Sequence, residues 1–459
     1  MRRTIAAAAV CALALGGGGA GWAHAREVRV QAARASAQAV AQAAARAAAE
    51  ERTRDLDLAF YEARVKADPF SALDVGKLAS LHARRARETG DWEDYLRAEK
   101  EARTSLSLRA QRNGQGFSTL AGALMAQHRF VEARQVAERY VAQDPASASA
   151  RGLLAEIELE LGRYDEVRPL FGSLQKDARN LAVAPRLARW AEINGRTDEA
   201  REILYRASHD AEARGDMPLE QVAWFHLRTG DLELRAGRLD AAERAYGLGL
   251  RAHPGDARLL DGMARLAAAR GQWERALAYG EQGLAKALDP ATLALMSEVA
   301  LARGDRAKAE EYAQVMQVSV ARQKGSYHRA WALFLLDHGQ EVETVAAQAR
   351  GDVATRRDVY GWDLLAWTLH HQGRSVEARQ AMAQALRMGT EDAQLFYHAG
   401  AIARAAGDDR AAEAYLRRAL KLNPGWHPTQ PAAARAALDS IAAGQHAGPP
   451  APPTGSRAR

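Results

Sequence analysis

The sequence predicts an all-α protein, a right-handed α-solenoid of about ten helix pairs with a C-terminal capping helix. A six-residue motif, usually glycine first and alanine last, recurs at intervals of 38, 34, 33, 42, 34, 33, 35, 34 and 34 residues. A near-constant period of this size is typical of helical solenoids. The ten copies are "GDWEDY" at Gly90, "HRFVEA" at His128, "GRYDEV" at Gly162, "GRTDEA" at Gly195, "GRLDAA" at Gly237, "GQWERA" at Gly271, "GDRAKA" at Gly304, "GQEVET" at Gly339, "GRSVEA" at Gly373 and "GDDRAA" at Gly407.

The residues of each unit follow from the packing of two helices. Each motif separates two apolar segments of helical period, and its glycine permits the positive φ at which the first helix closes. The alanine five residues after the glycine is small because the two helices cross closely there; it is Ala200, Ala242, Ala276, Ala309, Ala378 or Ala412. The second helix often ends at a proline, as at Pro145, Pro254, Pro290 and Pro424. Neither helix buries its apolar face alone, so stacked units are expected to share one core.

These features resemble the tetratricopeptide repeat, a helix-turn-helix unit of 34 residues. "AWFHLRTGDLELRAGRLDAAERAYGLGLRAHP" and "AQLFYHAGAIARAAGDDRAAEAYLRRALKLNP" carry the glycine, alanine, aromatic and proline positions of that pattern. The resemblance covers about residues 70–426, with longer units near Tyr95 and at 208–216. The whole chain is also similar to exported bacterial tetratricopeptide proteins. The resemblance implies a concave groove that binds peptides, lined by positions 2, 5, 9 and 12 of each first helix.

The N-terminus predicts export. Residues 1–25, "MRRTIAAAAVCALALGGGGAGWAHA", have two arginines, an apolar run and a small-x-small ending, as a cleavable signal peptide does. An uncleaved anchor is the alternative, although the apolar run is short for a membrane span. Cys11 is the only cysteine, so the mature chain would contain none and could form no disulfide. Localisation in the periplasm or outside the cell follows, and the mature chain offers no membrane span.

The remaining boundaries follow from composition. Residues 26–67 form an alanine- and arginine-rich N-terminal segment, of which 26–55 predict a frayed helix or a tether. The solenoid is expected over 68–428. Residues 429–442 predict a capping helix with Pro431 in its first turn, and the Pro/Gly-rich tail 443–459 predicts disorder.

The net charge of the chain limits the classes of partner that the sequence predicts. The formal net charge is +6, and removal of Arg2 and Arg3 with the signal would leave +4. An exported protein meets little nucleic acid, so this mild excess does not predict a nucleic-acid partner. A protein or peptide partner of unknown identity is expected instead.

The segment 359–372 looks like a site because aromatic, acidic and histidine residues crowd together in it. Counted from Gly373 as position 15, Trp362, Leu365, Ala366 and Leu369 belong to the repeat core. The groove positions are occupied by Tyr360, Asp363, Trp367 and His370. Packing of Tyr360 and Trp367 against the next repeat is the alternative to ligand contact. A metal pair at His370-His371 is disfavoured, because adjacent helical residues point about 100° apart.

The same count gives the other groove candidates: Arg189, Glu192, Trp224, Asp231, Arg258, Asp261, Arg265, Arg329, Tyr397 and Arg404. Their arginines could clamp a carboxylate or an acidic peptide through bidentate hydrogen bonds. Ion pairs between adjacent repeats are the alternative.

No catalytic motif occurs in the sequence. It lacks a Gly-x-Ser-x-Gly elbow, a His-Glu-x-x-His pair and a phosphate-binding glycine loop after the signal. The sequence therefore predicts no enzyme, no cofactor and no metal, but an exported scaffold that holds a peptide or protein in its groove and supports an envelope or secretion complex. The alternatives are a groove receptor for a small molecule or polysaccharide and a structural homo-oligomer.

Overall fold

The computed structural model describes residues 38–322 and 329–444. Over these residues every regular element is a helix, and the expectation of an all-α solenoid is confirmed. The predicted signal 1–25 and the tail beyond residue 444 lie outside the described residues, so the expectations for them stay predictions. No described helix combines the length and apolar character that crossing a membrane requires.

Ten successive helix pairs follow a first helical stretch, α1, at residues 38–67. The pairs are α2 Ala72–Thr89 with α3 Trp92–Leu108, α4 Gly114–Ala126 with α5 Phe130–Gln143, α6 Ala148–Glu160 with α7 Tyr164–Leu174, α8 Ala184–Ile193 with α9 Thr197–Glu212, α10 Leu219–Arg235 with α11 Leu239–Ala252, α12 Ala257–Ala269 with α13 Trp273–Leu284, α14 Pro290–Ala302 with α15 Arg306–Arg322, α16 Arg329–Asp337 with α17 Val342–Thr355, α18 Val359–His371 with α19 Ser375–Leu386, and α20 Ala393–Ala405 with α21 Asp409–Leu422. A final helix, α22, spans Gln430–Ala442.

Local sequence signals begin and close the helices. The Asp358 side chain accepts a hydrogen bond from the Gly361 backbone N–H at 2.9 Å and so caps α18. Asp256 caps α12 in the same way through the N–H groups of Arg258 and Leu259. The alanines expected at close helix crossings are buried in every unit named for them.

The N-terminal helix is part of the packed structure. Leu58 of α1 forms a buried cluster with Leu78 and Leu81 of α2, and Arg54 forms an ion pair with Glu88. The described part of the expected tether, from residue 38 onward, is therefore a helix that packs on the first repeat.

Segments about six repeats apart also contact each other. We call three of these contacts the inter-turn seam: the Arg357 N–H donates to the Leu161 carbonyl at 3.0 Å, the Thr390 hydroxyl to the Ile193 carbonyl at 2.6 Å, and the Asn423 amide to the Leu234 carbonyl at 2.9 Å. All three acceptors lie at the C-terminal ends of first helices, where carbonyls lack helical partners. The solenoid therefore winds back on itself. The ends of α6, α8 and α10 contact the segments just before α18, α20 and α22, respectively.

The last helix covers the end of the tenth repeat. Pro431 lies in the first turn of α22 and is buried together with Ala434. Gln430 donates to the Asp337 carboxylate at 3.0 Å, and Arg404 of α20 donates to Ser440 at 2.6 Å. The helix is thus joined to both the eighth and the tenth repeats.

Candidate binding chamber

The first helices line an open cavity of about 980 Å³, which we call the inner chamber. It lies between α6, α8 and α10 of the third to fifth repeats and α16 and α18 of the eighth and ninth. Its described lining carries seven arginines and four carboxylates, a formal excess of three positive charges. Trp224, Phe225 and Tyr360 add aromatic surface. The chamber therefore combines a positive potential with apolar rings.

Three arginines of the chamber share one carboxylate. Arg235 is 2.7 Å from Glu192, whereas Arg189 and Arg228 are 3.4 and 3.5 Å from it. Arg228 is also 3.7 Å from Asp231. Both contacts of Arg228 are too long for a good hydrogen bond, so its guanidinium keeps donors for another acceptor. We call Arg189, Glu192, Arg228 and Arg235 the arginine cluster.

The electrostatics of Glu192 follow from this arrangement. Burial acts to raise the pKa of its carboxyl group, but the guanidiniums of Arg235, Arg189 and Arg228 together outweigh burial and bring that pKa to about 2. Glu192 is therefore ionised throughout the physiological pH range, and it neutralises only one of the three neighbouring positive charges.

Tyr360 joins the two sides of the chamber. The guanidinium carbons of Arg189 and Arg329 lie 5.4 and 5.1 Å from the centre of its ring, within the range of cation–π contacts. Arg329 also forms an ion pair with Asp363 at 2.5 Å. Four of the predicted site residues, Arg189, Trp224, Arg329 and Tyr360, therefore line the same chamber.

Four others line a second cavity of about 510 Å³: Asp231, Arg258, Asp261 and Arg265. Arg265 bonds both Asp231 and Asp261 at 3.0 Å. Arg258 is 2.7 Å from Asp256 and 3.0 Å from Glu220. These contacts include the ion pairs between adjacent repeats that were the alternative to ligand binding.

Trp367 and Asp363 are corrections to the predicted groove. Trp367 is only 5% exposed; its indole N–H donates to Asp337 at 2.8 Å, and its ring stacks on His398 at 4.1 Å. Asp363 is fully buried between Arg329 and His398. The expectation that both side chains face an open groove is wrong, because α16 and α20 pack closely against this side of α18.

The last three predicted residues lie around or beyond this buried group. The His370 ring is 4.9 Å from that of Trp367, and the Tyr397 ring is 5.9 Å from it. Arg404 is held by Ser440 of α22. Within the described ranges, no group of three or more His, Cys, Asp or Glu side chains is placed to hold a metal ion.

Sequence reasoning missed Arg228 and Arg235. With Gly237 as position 15 they occupy positions 6 and 13, outside the groove positions that the resemblance implies. Nevertheless Trp224, Arg228, Asp231 and Arg235 are spaced by four, three and four residues, which places them along one face of α10. This stripe of side chains on one face of α10 was the sequence signal from which Arg228 and Arg235 could have been predicted.

Comparison with known families identifies the repeat. Two models described as tetratricopeptide repeat match residues 124–190 and 393–425. No curated protein matches the chain in sequence.

Solved structures give remote matches. A human IFIT1 dimer with PPP-AAAA is 14% identical and covers 80% of this chain and 94% of its own, with a TM-score of 0.43. Pseudomonas aeruginosa pilF is 17% identical and covers 52% of this chain and 99% of its own, with a TM-score of 0.35. A tetratricopeptide repeat protein from Parabacteroides merdae is 16% identical and covers 52% and 92%, with a TM-score of 0.36. At these TM-scores no detail of a site transfers to this chain.

Proposed function

We propose that this chain, a member of the tetratricopeptide-repeat superfamily, is an exported, non-catalytic scaffold that binds a segment of a protein partner in its inner chamber. Its role would be to support assembly of an envelope or secretion complex. Binding of a protein partner is the common use of this fold, and the presence of the chamber supports the same use here.

The observation that carries the proposal is the composition of the chamber. Its volume of about 980 Å³ is at the upper end of the usual range for ligand sites. Tryptophan, tyrosine and arginine, which line it, are the residues enriched where proteins bind each other most strongly. A short peptide segment fits both the size and the chemistry.

The carboxylate of the arginine cluster, Glu192, supports binding rather than acid–base catalysis. A general acid or base works best with a pKa near the operating pH. Glu192, with a pKa of about 2, is far from that range. Glu160 differs: burial raises the pKa of its carboxyl group, and Arg189 and Arg356, the latter 3.1 Å away, oppose that rise.

The test is an affinity capture from intact cell envelopes after crosslinking. The full chain carries a C-terminal tag, and the chamber variant combines Trp224→Ala with Arg228→Gln. The control combines Tyr205→Ala with Arg303→Gln, which removes an exposed aromatic ring and an exposed arginine away from the chamber. Mass spectrometry of the captured chain also reads whether it begins at Arg26, as cleavage predicts.

We expect the parent and the control to capture one envelope protein that the chamber variant loses. Arg228→Gln alone removes only two long ion pairs, so this single variant should melt like the parent. Its capture result therefore tests the proposal even if Trp224→Ala lowers the stability of the double variant. Capture of the same protein by all variants would contradict the proposal.

The alternative receptor for a polysaccharide needs an exposed strip of Trp224, Tyr360 and Trp367. Trp367 is buried away from the chamber and two arginines cover Tyr360, so the peptide reading is better supported. A structural homo-oligomer would instead show as a concentration-dependent mass in light scattering of the purified chain.

A further inference from the structure

Helix α1 carries apolar side chains on two opposite faces. One face packs on α2 through Leu58, with Tyr61 and Val65 partly buried beside it. The other face, which we call the outer stripe, consists of the exposed apolar residues Leu56, Ala59, Phe60 and Ala63. Their spacing keeps them on one side of the helix, and Phe60 lies about 200° around it from Leu58. A helix that is apolar on both sides is expected to be buried between two layers.

The outer stripe leaves the N-terminal end of the solenoid without a polar cap. Terminal units of a solenoid need a polar outer face to stay soluble. Leu56 and Phe60 are nevertheless 71% and 55% exposed, and Phe70 and Leu73, at the turn into α2, are 80% and 65% exposed. Helix α22, at the other end, exposes no large apolar side chain. The N-terminal end therefore has the character of a surface that another apolar face covers.

Charged side chains beside the outer stripe complement a second copy of the same helix. Arg52 and Glu62 are both exposed and lie five residues on either side of residue 57. They are about 80° apart around the helix and border the same side of the stripe. When two copies of α1 pack antiparallel about a twofold axis near residue 57, Arg52 of each copy faces Glu62 of the other. The same arrangement sets Leu56 of each copy against Ala59 and Phe60 of the other.

We propose that the outer stripe is a dimerisation surface, on which a second copy of this chain packs its own α1 antiparallel. Such pairing uses the same patch on both subunits, as twofold interfaces do. The stripe is smaller than the interface of a permanent dimer, so association is reversible and in the micromolar range. No described residue of α1 lines the inner chamber. Dimerisation therefore leaves the chamber lining unchanged, and the inference does not rest on the proposed function.

The charge of α1 favours a copy of itself over a lipid surface. Helices that lie on anionic membranes are rich in lysine and arginine on their polar face. Between residues 46 and 66, α1 carries five basic and five acidic side chains. A helix with this balance gains little from anionic headgroups, whereas a second α1 supplies both signs of charge.

The test is sedimentation velocity of the purified full chain over the micromolar range. The stripe variant combines Leu56→Gln with Phe60→Gln. The matched control combines Val376→Gln with Val318→Gln, whose side chains are likewise 71% and 55% exposed but lie on α19 and α15. We expect the parent and the control to dimerise alike. The stripe variant should need a concentration at least about 100-fold higher, because its dimer loses four buried apolar side chains.

Reversal of charge distinguishes a second copy from any other occupant of the stripe. Arg52→Glu and Glu62→Arg should each weaken dimerisation about ten-fold, since each variant places two like-charged contacts in its own dimer. The double variant should return to within about three-fold of the parent. A mixture of the two single variants should form a heterodimer, because both contacts then join opposite charges. Circular dichroism melts verify that each variant is folded.

Four results would overturn the inference. They are a parent that stays monomeric throughout the range, equal weakening in the stripe variant and the control, no recovery in the charge-reversed double variant, and binding of a monomeric parent to phosphatidylglycerol vesicles through the stripe. The last result would assign the stripe to a membrane surface. The stripe variant should still capture the envelope partner, which separates this dimer from a purely structural oligomer.

Discussion

The same position of the repeat has different surroundings in different repeats. Asp231 and Trp367 both occupy position 9 of a first helix, yet Asp231 lines a cavity while Trp367 is buried. The difference comes from the flanking helices, because Asp337 and His398 approach Trp367 from either side. Counting residues within a repeat therefore identifies a face of the helix but not what covers that face.

Partly buried histidines near the C-terminus predict that the protein loses stability in mild acid. Burial lowers the pKa of His427 to about 4, helped by His398 and His338 and opposed by Asp337. Burial also lowers the pKa of His370 to about 4, with His371 and His398 as smaller causes. The unfolded chain takes up these protons near pH 6.5, well before the folded chain does. The contribution of these two histidines to stability is therefore complete above about pH 6.5 and is lost as the pH decreases toward 4.

The measurement is the melting temperature between neutral pH and pH 4.5, followed by circular dichroism. His427→Gln should reduce the decrease, because one of the groups that binds protons only in the unfolded state is gone. His209→Gln, at an exposed position, is the control and should reproduce the parent profile. A parent melting temperature that does not change over this range would contradict the prediction.

The turns between paired helices show that a sequence predicts the backbone conformation of a turn but not the distant segments that contact it. Gly195 and Gly373 occupy equivalent turns and have φ values of 68° and 73°. A Cβ atom at Gly195 would lie 2.3 Å from the Gly389 carbonyl oxygen, whereas one at Gly373 would meet nothing within 4 Å. The sequence predicts the positive φ of both turns; only the folded chain shows that Gly195 also meets a distant segment.

This difference predicts unequal effects of alanine at the two turns. Gly373→Ala should cost about 1 kcal/mol, the usual strain of a non-glycine residue at positive φ. Gly195→Ala should cost more, since the backbone near Gly389 must also move. Thermal melts of the two variants give the comparison, and equal melting temperatures would show that the contact across the seam is easily displaced.

At the scale of the whole molecule, the period of the motif was enough to predict about ten helix pairs, because each repeat is specified by local residues. It was not enough to predict the inter-turn seam or the chamber behind it. Those depend on small rotations between neighbouring repeats that accumulate over about six of them. Arg228 faces Glu192 of the preceding repeat, but Tyr360 reaches Arg189 only because the chain has wound back on itself.

The seam should couple the stability of segments that are remote in sequence. In a simple solenoid each repeat contacts only its neighbours. Here the buried Asn423 amide donates to the Leu234 carbonyl near the end of α10, 189 residues away. Asn423→Ala removes this donor and leaves the Leu234 carbonyl with the Gly237 N–H, at 3.0 Å, as its remaining partner. We expect faster amide hydrogen exchange in the last turn of α10, measured by mass spectrometry.

Ser375→Ala is the matched control, because its hydroxyl reaches only the Ala405 carbonyl of the following repeat, at 3.4 Å. It should change exchange in α19 and α20 and leave α10 as in the parent. If Asn423→Ala accelerates exchange only around the tenth repeat and α22, the two turns of the solenoid fluctuate independently and the prediction is wrong. If α10 responds, the seam couples the local stability of the fifth repeat to that of the segment before α22.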